Sequence, residues 1–191
     1  MNILPIDELN VFETTLNAQY ADGKLTTALL DTTIDEMLDL FLLAYASGVT
    51  AANSDLGTEN KPSRDDADRA INATVAGKTW RERVKEWTDN GGTPYDLARI
   101  AETDMTRIYN TAVLDTVKAN GAESTTYKRW NTMLDDRVRQ DHQFLEGLTI
   151  PYNAKFYVPS GDSAYAPGLF ATPELNIGCR CVLELIKGES L

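Results

Sequence analysis

The stretch that decides the fold runs Val117-Lys118-Ala119-Asn120-Gly121-Ala122-Glu123-Ser124-Thr125-Thr126-Tyr127-Lys128-Arg129-Trp130. Before Asn120-Gly121 the apolar residues recur with the period of a helix; after it that period is lost. Asn-Gly is a strong helix stop, because glycine readily takes the left-handed conformation that closes a last turn. The helix it ends begins at Thr93-Pro94-Tyr95-Asp96, with proline at the first helical position. The expected helix therefore runs from Pro94 to about Lys118, with Leu97, Ile100, Ala101, Ile108 and Ala112 on one stripe.

Further upstream, a short amphipathic helix follows Thr79, with Trp80, Val84 and Trp87 at i, i+4 and i+7, and stops at Asp89-Asn90-Gly91-Gly92. Lys61-Pro62-Ser63 begins another helix. Thr33-x-x-Glu36 reads as a capping box before the apolar run Met37–Val49, which predicts a helix from about Ile34 to Asn53, stopped by Asp55-Leu56-Gly57. Downstream of Gly121, Thr125–Trp130 reads as a short strand. Thr132-x-x-Asp135 reads as a capping box opening a helix to about Glu146, with Gly147 as its cap. Leu148–Pro151 and Phe156–Val158 read as short strands around a turn at Asn153, and residues 159–178 as a long loop. Cys179–Ile186 alternates, with Cys179, Cys181, Leu183 and Leu185 on one face. The fold class is α+β: a helical region over 1–121, then a module of one helix and short antiparallel strands over 122–191.

The chain has 191 residues, 42 % hydrophobic, enough for a real core. Its net charge is −11, and the charge is uneven: residues 1–124 hold 11 basic and 21 acidic side chains, residues 125–191 hold 7 and 8. Binding to phosphate backbones needs neutralising cations, so this balance argues against direct nucleic-acid contact. An acidic helical half suits either a basic partner surface or simple solubility through self-repulsion. The N-terminus, Met1 to Glu8, lacks a basic region and a long apolar run, and Met37–Val49 is too short to span a bilayer. The expectation is a protein made in the cytoplasm with no membrane span and reduced cysteines.

The reactive residues concentrate between Trp130 and Cys181, which holds the one histidine of the chain, His142, and both cysteines. Cys-x-Cys in an extended segment puts both sulfurs on one face. Two thiolates and an imidazole are ligands suited to zinc. Glu146, one helical turn after His142, is the candidate fourth ligand. Two other readings stand beside this one: two small buried cysteines with a histidine bonded to a backbone carbonyl, and a catalytic Cys–His pair. Asp135 reads as a capping residue, and Arg139 as able to pair locally with it. If Glu102, inside the long helix, is buried, it needs a cation from elsewhere in the chain. No catalytic carboxylate pair, Ser/His/Asp arrangement or phosphate loop is apparent.

These motifs, taken in order, resemble the phage Mu F-like head-morphogenesis family. The resemblance is carried by Trp130, Leu134-Asp135-Asp136-Arg137-Val138-Arg139, His142, Leu145-x-Gly147, Ile150-Pro151, Phe156, Ala166-Pro167-Gly168, Pro173 and Cys179-Arg180-Cys181. Ala101-Glu102-Thr103 with Arg107 and Asn110, and Ala44-Tyr45-x-x-Gly48, resemble the helices that precede this module in the family. Two positions depart from its pattern: Gly178 stands where asparagine is usual, and Glu146 where many members have aspartate. The resemblance implies signature positions at Trp130, Asp135, Arg137, Arg139, His142, Gly147, Cys179 and Cys181. It further implies a minor head protein of a tailed bacteriophage, with a structural role beside the portal or major capsid protein. Such proteins sit in the virion, in the capsid interior or at the portal vertex, are present in the host cytoplasm during assembly, and are thought in some cases to leave with the DNA. The helical half would then contact those subunits and the C-terminal module act as an anchor. Relatives fused to toxin domains give the alternative, an enzyme-like module dependent on Cys/His or zinc and acting in phage maturation or infection.

Overall fold

The computed structural model describes residues 4–20 and 27–188. Five helices come first: α1 (Ile6–Gln19), α2 (Thr27–Leu56), α3 (Arg64–Ile71), α4 (Trp80–Asp89) and α5 (Pro94–Ala119). The C-terminal part follows as β1 (Thr126–Asn131), α6 (Gln140–Leu145), β2 (Thr149–Pro151), β3 (Phe156–Tyr157), β4 (Ser163–Ala164), α7 (Pro173–Asn176) and β5 (Val182–Lys187). The α+β class expected from the sequence is what is observed. β1 lies between β2 and β5 in an antiparallel sheet, and β3 pairs with β4.

Local sequence explains the helix starts. Ser63, Thr79 and Thr93 each cap a helix through reciprocal bonds with Asp66, Glu82 and Asp96, satisfying amides that have no partner inside the helix. α5 is the axis of the molecule. α2 packs along it, and the two approach closely because α2 presents Ala44, Gly48 and Ala52 at four-residue spacing. A Cβ built on Gly48 would lie 2.4 Å from the Tyr109 carbonyl oxygen and 2.9 Å from the Ala112 Cβ. Tyr45, on the same face, donates its hydroxyl to Asp115 of α5 at 3.2 Å. The motif Ala44-Tyr45-x-x-Gly48 is thus a helix-crossing motif.

Among the described residues, two clusters form the core. The first joins α1, α2, α4 and the N-terminal half of α5 around Phe12, Met37, Phe41, Trp80 and Met105, with the Phe41 and Trp80 rings edge to face at 5.0 Å. The second is shared by the ends of α2 and α5 (Leu56, Tyr109, Val113, Val117) and the C-terminal part (Trp130, Leu145, Phe156, Phe170, Leu183, Leu185).

Several local expectations are corrected. α2 starts at Thr27, so Thr33 is buried inside it and bonds back to the Leu29 carbonyl instead of capping. Trp87 is 39 % exposed, so the core stripe of α4 is Trp80 and Val84 alone. Residues 132–138 are not helical, and α6 begins only at Gln140. Leu134 sits at φ 55°, which no helix tolerates, and Asp135 accepts the Arg137 amide in a tight turn. β2 and β3 do not pair with each other across Asn153. The span 159–178 holds β4 and α7, and β5 starts at Val182, after both cysteines.

Candidate functional site

α5 positions the site with a row of buried polar side chains. Thr103 accepts the Gly178 amide at 3.0 Å, Thr106 donates to the Cys179 carbonyl, and Asn110 donates to the Cys181 carbonyl at 3.0 Å while accepting the Leu183 amide at 2.8 Å. These residues fall at i, i+3 and i+7, so one helix face grips residues 178–183 as a strand edge would. Asp55 of α2 continues the row by accepting the Leu185 amide at 2.9 Å. The free edge of β5 is thereby paired with helix side chains instead of lying open.

Held this way, the Cys179 and Cys181 thiols face His142. The Nδ1 atom of His142 lies 3.6 Å from the Cys179 sulfur and 3.5 Å from the Cys181 sulfur. The ligand atoms of the three residues lie within 4.8 Å of one another. All three side chains are almost fully enclosed, at 1 %, 2 % and 3 % exposure. Trp130 and Phe170 wall the imidazole, at centroid distances of 5.3 and 5.7 Å, the Phe170 ring nearly parallel to it. The two thiols behave as a pair. The hydrogen bond with Cys181, reinforced by His142, holds the Cys179 thiol well below its usual range, while the same bond and burial push Cys181 up. Two sulfurs and a ring nitrogen gathered this closely are a donor set that can hold one cation.

Glu146 is not brought into this cluster. It is exposed, and its carboxylate accepts the Thr132 amide at 2.6 Å, closing the loop between β1 and α6. The local Asp135–Arg139 pair does not form either. Arg180 donates to both Asp135 oxygens at 2.9 and 2.7 Å, and this bond holds the Asp135 carboxyl below the usual carboxylate range. Arg139 donates to the Ile177 carbonyl.

Beside the cluster is a groove of about 680 Å³ between α1, α5 and the loops before α6 and β5. Arg99, Arg137, Arg139 and Arg180 line it against two acids, Glu13 and Glu102, a local cationic excess on an acidic protein. Glu102 is largely buried and finds its cations in Arg137 at 3.4 Å and Arg180 at 3.9 Å, from outside its own helix. Burial nonetheless pushes its carboxyl up. Guanidinium groups gathered around apolar walls (Leu9, Ala98, Met105) are suited to a carboxylate or other planar anion carried on an apolar chain.

The model of the family described as phage Mu protein F like protein matches residues 66–184. The chain belongs to the phage Mu F-like family. Its head-morphogenesis role is the coarse function the family carries. The F-like match spans the row on α5, the thiol–imidazole cluster and the three groove arginines after β1. A further similarity is to NAD(+)--arginine ADP-ribosyltransferase EFV of Enterococcus faecalis (strain ATCC 700802 / V583), 27 % identical over 123 residues. It covers 63 % of this chain and 25 % of that protein, so the chain spans only a quarter of that relative's length. No solved structure matches.

Within the F-like match, the residues that carried the resemblance divide by task. Trp130 is the centre of the second core, touching His142, Phe156 and Phe170. Gly147, at φ 71°, turns the chain out of α6 and donates its amide to the Trp130 carbonyl at 2.8 Å. His142, Cys179 and Cys181 form the cluster; Arg137 and Arg139 line the groove, and Asp135 holds Arg180 beside them. Sequence reading missed Thr106, and gave no role to Thr103 and Asn110. Their signal was present as polar residues on the inward stripe of a long helix. It also missed Lys128, fully buried, whose ammonium donates to the Tyr165 carbonyl at 2.8 Å and lies 5.1 to 5.6 Å from the rings of Tyr165, Phe156 and Tyr152. Its place two residues before Trp130 on a strand was the clue.

Proposed function

We propose that this protein is a non-enzymatic minor head component of a tailed bacteriophage, which joins portal or major capsid subunits during head assembly and resides in the virion. The observation that carries the reading is the family match over residues 66–184, which includes every signature residue. The geometry supports it. The side chains best suited to catalysis, His142, Cys179 and Cys181, are enclosed, with a void of only about 10 Å³ beside them, far too small for a substrate. Other signature charges serve ion pairs and the groove wall. No helix among the described residues is long and apolar enough to cross a membrane.

The arginine-lined groove is the surface we assign to contact with an acidic segment of a neighbouring head subunit. The supporting observation is charge complementarity: four arginines against two glutamates on a chain of net charge −11. The test is assembly of heads with tagged wild-type protein and with Arg139→Glu. The wild type should co-purify with portal or major capsid protein and appear in finished heads, and the variant should be depleted. Heads that form normally with no copy of the protein aboard would refute the structural role. Equal incorporation of the variant would refute the groove assignment alone.

A further inference from the structure

We propose that His142 Nδ1, Cys179 Sγ and Cys181 Sγ bind one zinc ion, with solvent as the fourth ligand. The inference does not depend on the role in head assembly. It rests on three observations.

The first is the ligand geometry. For zinc–sulfur bonds of about 2.3 Å and a zinc–nitrogen bond of about 2.0–2.1 Å at a tetrahedral angle, nitrogen and sulfur stand about 3.6 Å apart. The observed separations are 3.6 and 3.5 Å. One ring nitrogen has either one proton to give or one lone pair to receive one. A hydrogen bond therefore accounts well for one sulfur, whereas two sulfurs at equal distance from one nitrogen are what a shared metal ion produces.

The second is the way the ligands are held. Cys179 and Cys181 stand in a segment whose backbone is pinned to α5 by Thr103, Thr106 and Asn110. A site so constrained loses little freedom when the ion arrives. Binding releases the thiol protons to solvent, leaving two thiolates, a neutral imidazole and the dication, with no net charge at the centre.

The third is the fourth position. The void of about 10 Å³ that touches all three ligands is bordered by Met133, Val138 and Arg139, and approaches the volume of a single water. It borders the arginine wall of the larger groove, which shares Arg137, Arg139 and Arg180 with it. Glu146 is directed to Thr132 and does not complete the shell.

The experiment is elemental analysis of the full chain, produced with zinc in the medium and purified without chelator. The expected result is about one zinc per chain in the wild type and in Glu146→Gln, and background zinc in Cys179→Ser and Cys181→Ser. Should the serine variants not fold, the wild type decides the matter. A strong chelator should then lower Tm, zinc alone should restore it, cobalt should give a thiolate-to-metal charge-transfer band, and X-ray absorption of the zinc form should show two sulfur and two lighter ligands. No metal after zinc titration, no such band and a Tm indifferent to chelator would overturn the site. X-ray absorption showing two sulfurs and a single lighter ligand would overturn the solvent ligand, and loss of zinc in Glu146→Gln would give that position to Glu146.

Discussion

Replacing Asn110 with alanine tests whether α5 holds the Cys-x-Cys segment. Asn110 is fully buried. Its side chain satisfies the Leu183 amide at 2.8 Å and the Cys181 carbonyl at 3.0 Å, and alanine leaves both groups without that partner. A buried backbone group left without a partner costs about 1–3 kcal/mol, so two of them predict a loss of roughly 2–6 kcal/mol. That is a large part of the ~5–15 kcal/mol a domain has in total. Thr106→Val is the comparison: it keeps the shape and orphans only the Cys179 carbonyl, so it should cost about half as much, roughly 1–3 kcal/mol. Urea unfolding followed by tryptophan fluorescence reads both, since Trp80 and Trp130 are buried in the two cores. With a slope of about 2 kcal/mol/M, Asn110→Ala should lower the midpoint by roughly 1–3 M without changing the slope. A midpoint within experimental error of the wild type, or a larger loss for Thr106→Val, would refute the claim that the helix side chains hold the edge of β5.

Three further outcomes follow from named contacts. Gly48→Ala gains about 1 kcal/mol of helix propensity but forces a methyl within 2.4 Å of the Tyr109 oxygen; net destabilisation should lower Tm, and a higher Tm would show that α2 and α5 can separate freely. Lys128 is held down to about 8 by burial. The folded state then gives up its proton before the unfolded chain does, and the unfolded state binds more protons between about pH 8 and 10.5. Stability of the wild type relative to Lys128→Met should therefore rise with pH from 8 towards 9.5; a constant Tm difference would contradict the buried cation. Asp135 is depressed by Arg180, so its contribution is present above the ordinary aspartate range and lost as pH falls through the folded value. The Tm advantage of wild type over Asp135→Asn should shrink between pH 5 and 3, and an advantage unchanged at pH 3 would mean the pair does not stabilise the fold.

What the sequence determined by itself are features set by neighbours along the chain. Thr93-Pro94-x-Asp96 and Asn120-Gly121 define α5 because capping and left-handed closure act over three or four residues. The change of period after Gly121 gave the α+β class for the same reason, and the ordered motifs from Trp130 to Cys181 identified the family. Tertiary structure decided what depends on residues far apart. Thr33-x-x-Glu36 and Thr132-x-x-Asp135 have the spacing of capping boxes, yet the first lies inside a longer helix and the second is spent on a turn and on Arg180, 45 residues away. The sequence grouped His142 with both cysteines by residue type. Only the folded chain puts one ring nitrogen at nearly the same distance from the two sulfurs and turns Glu146 away, because those positions are set by Thr103, Thr106 and Asn110 gripping a segment more than seventy residues downstream. The arginine groove is likewise built from α1, α5 and two loops, so no single stretch of the chain displays it.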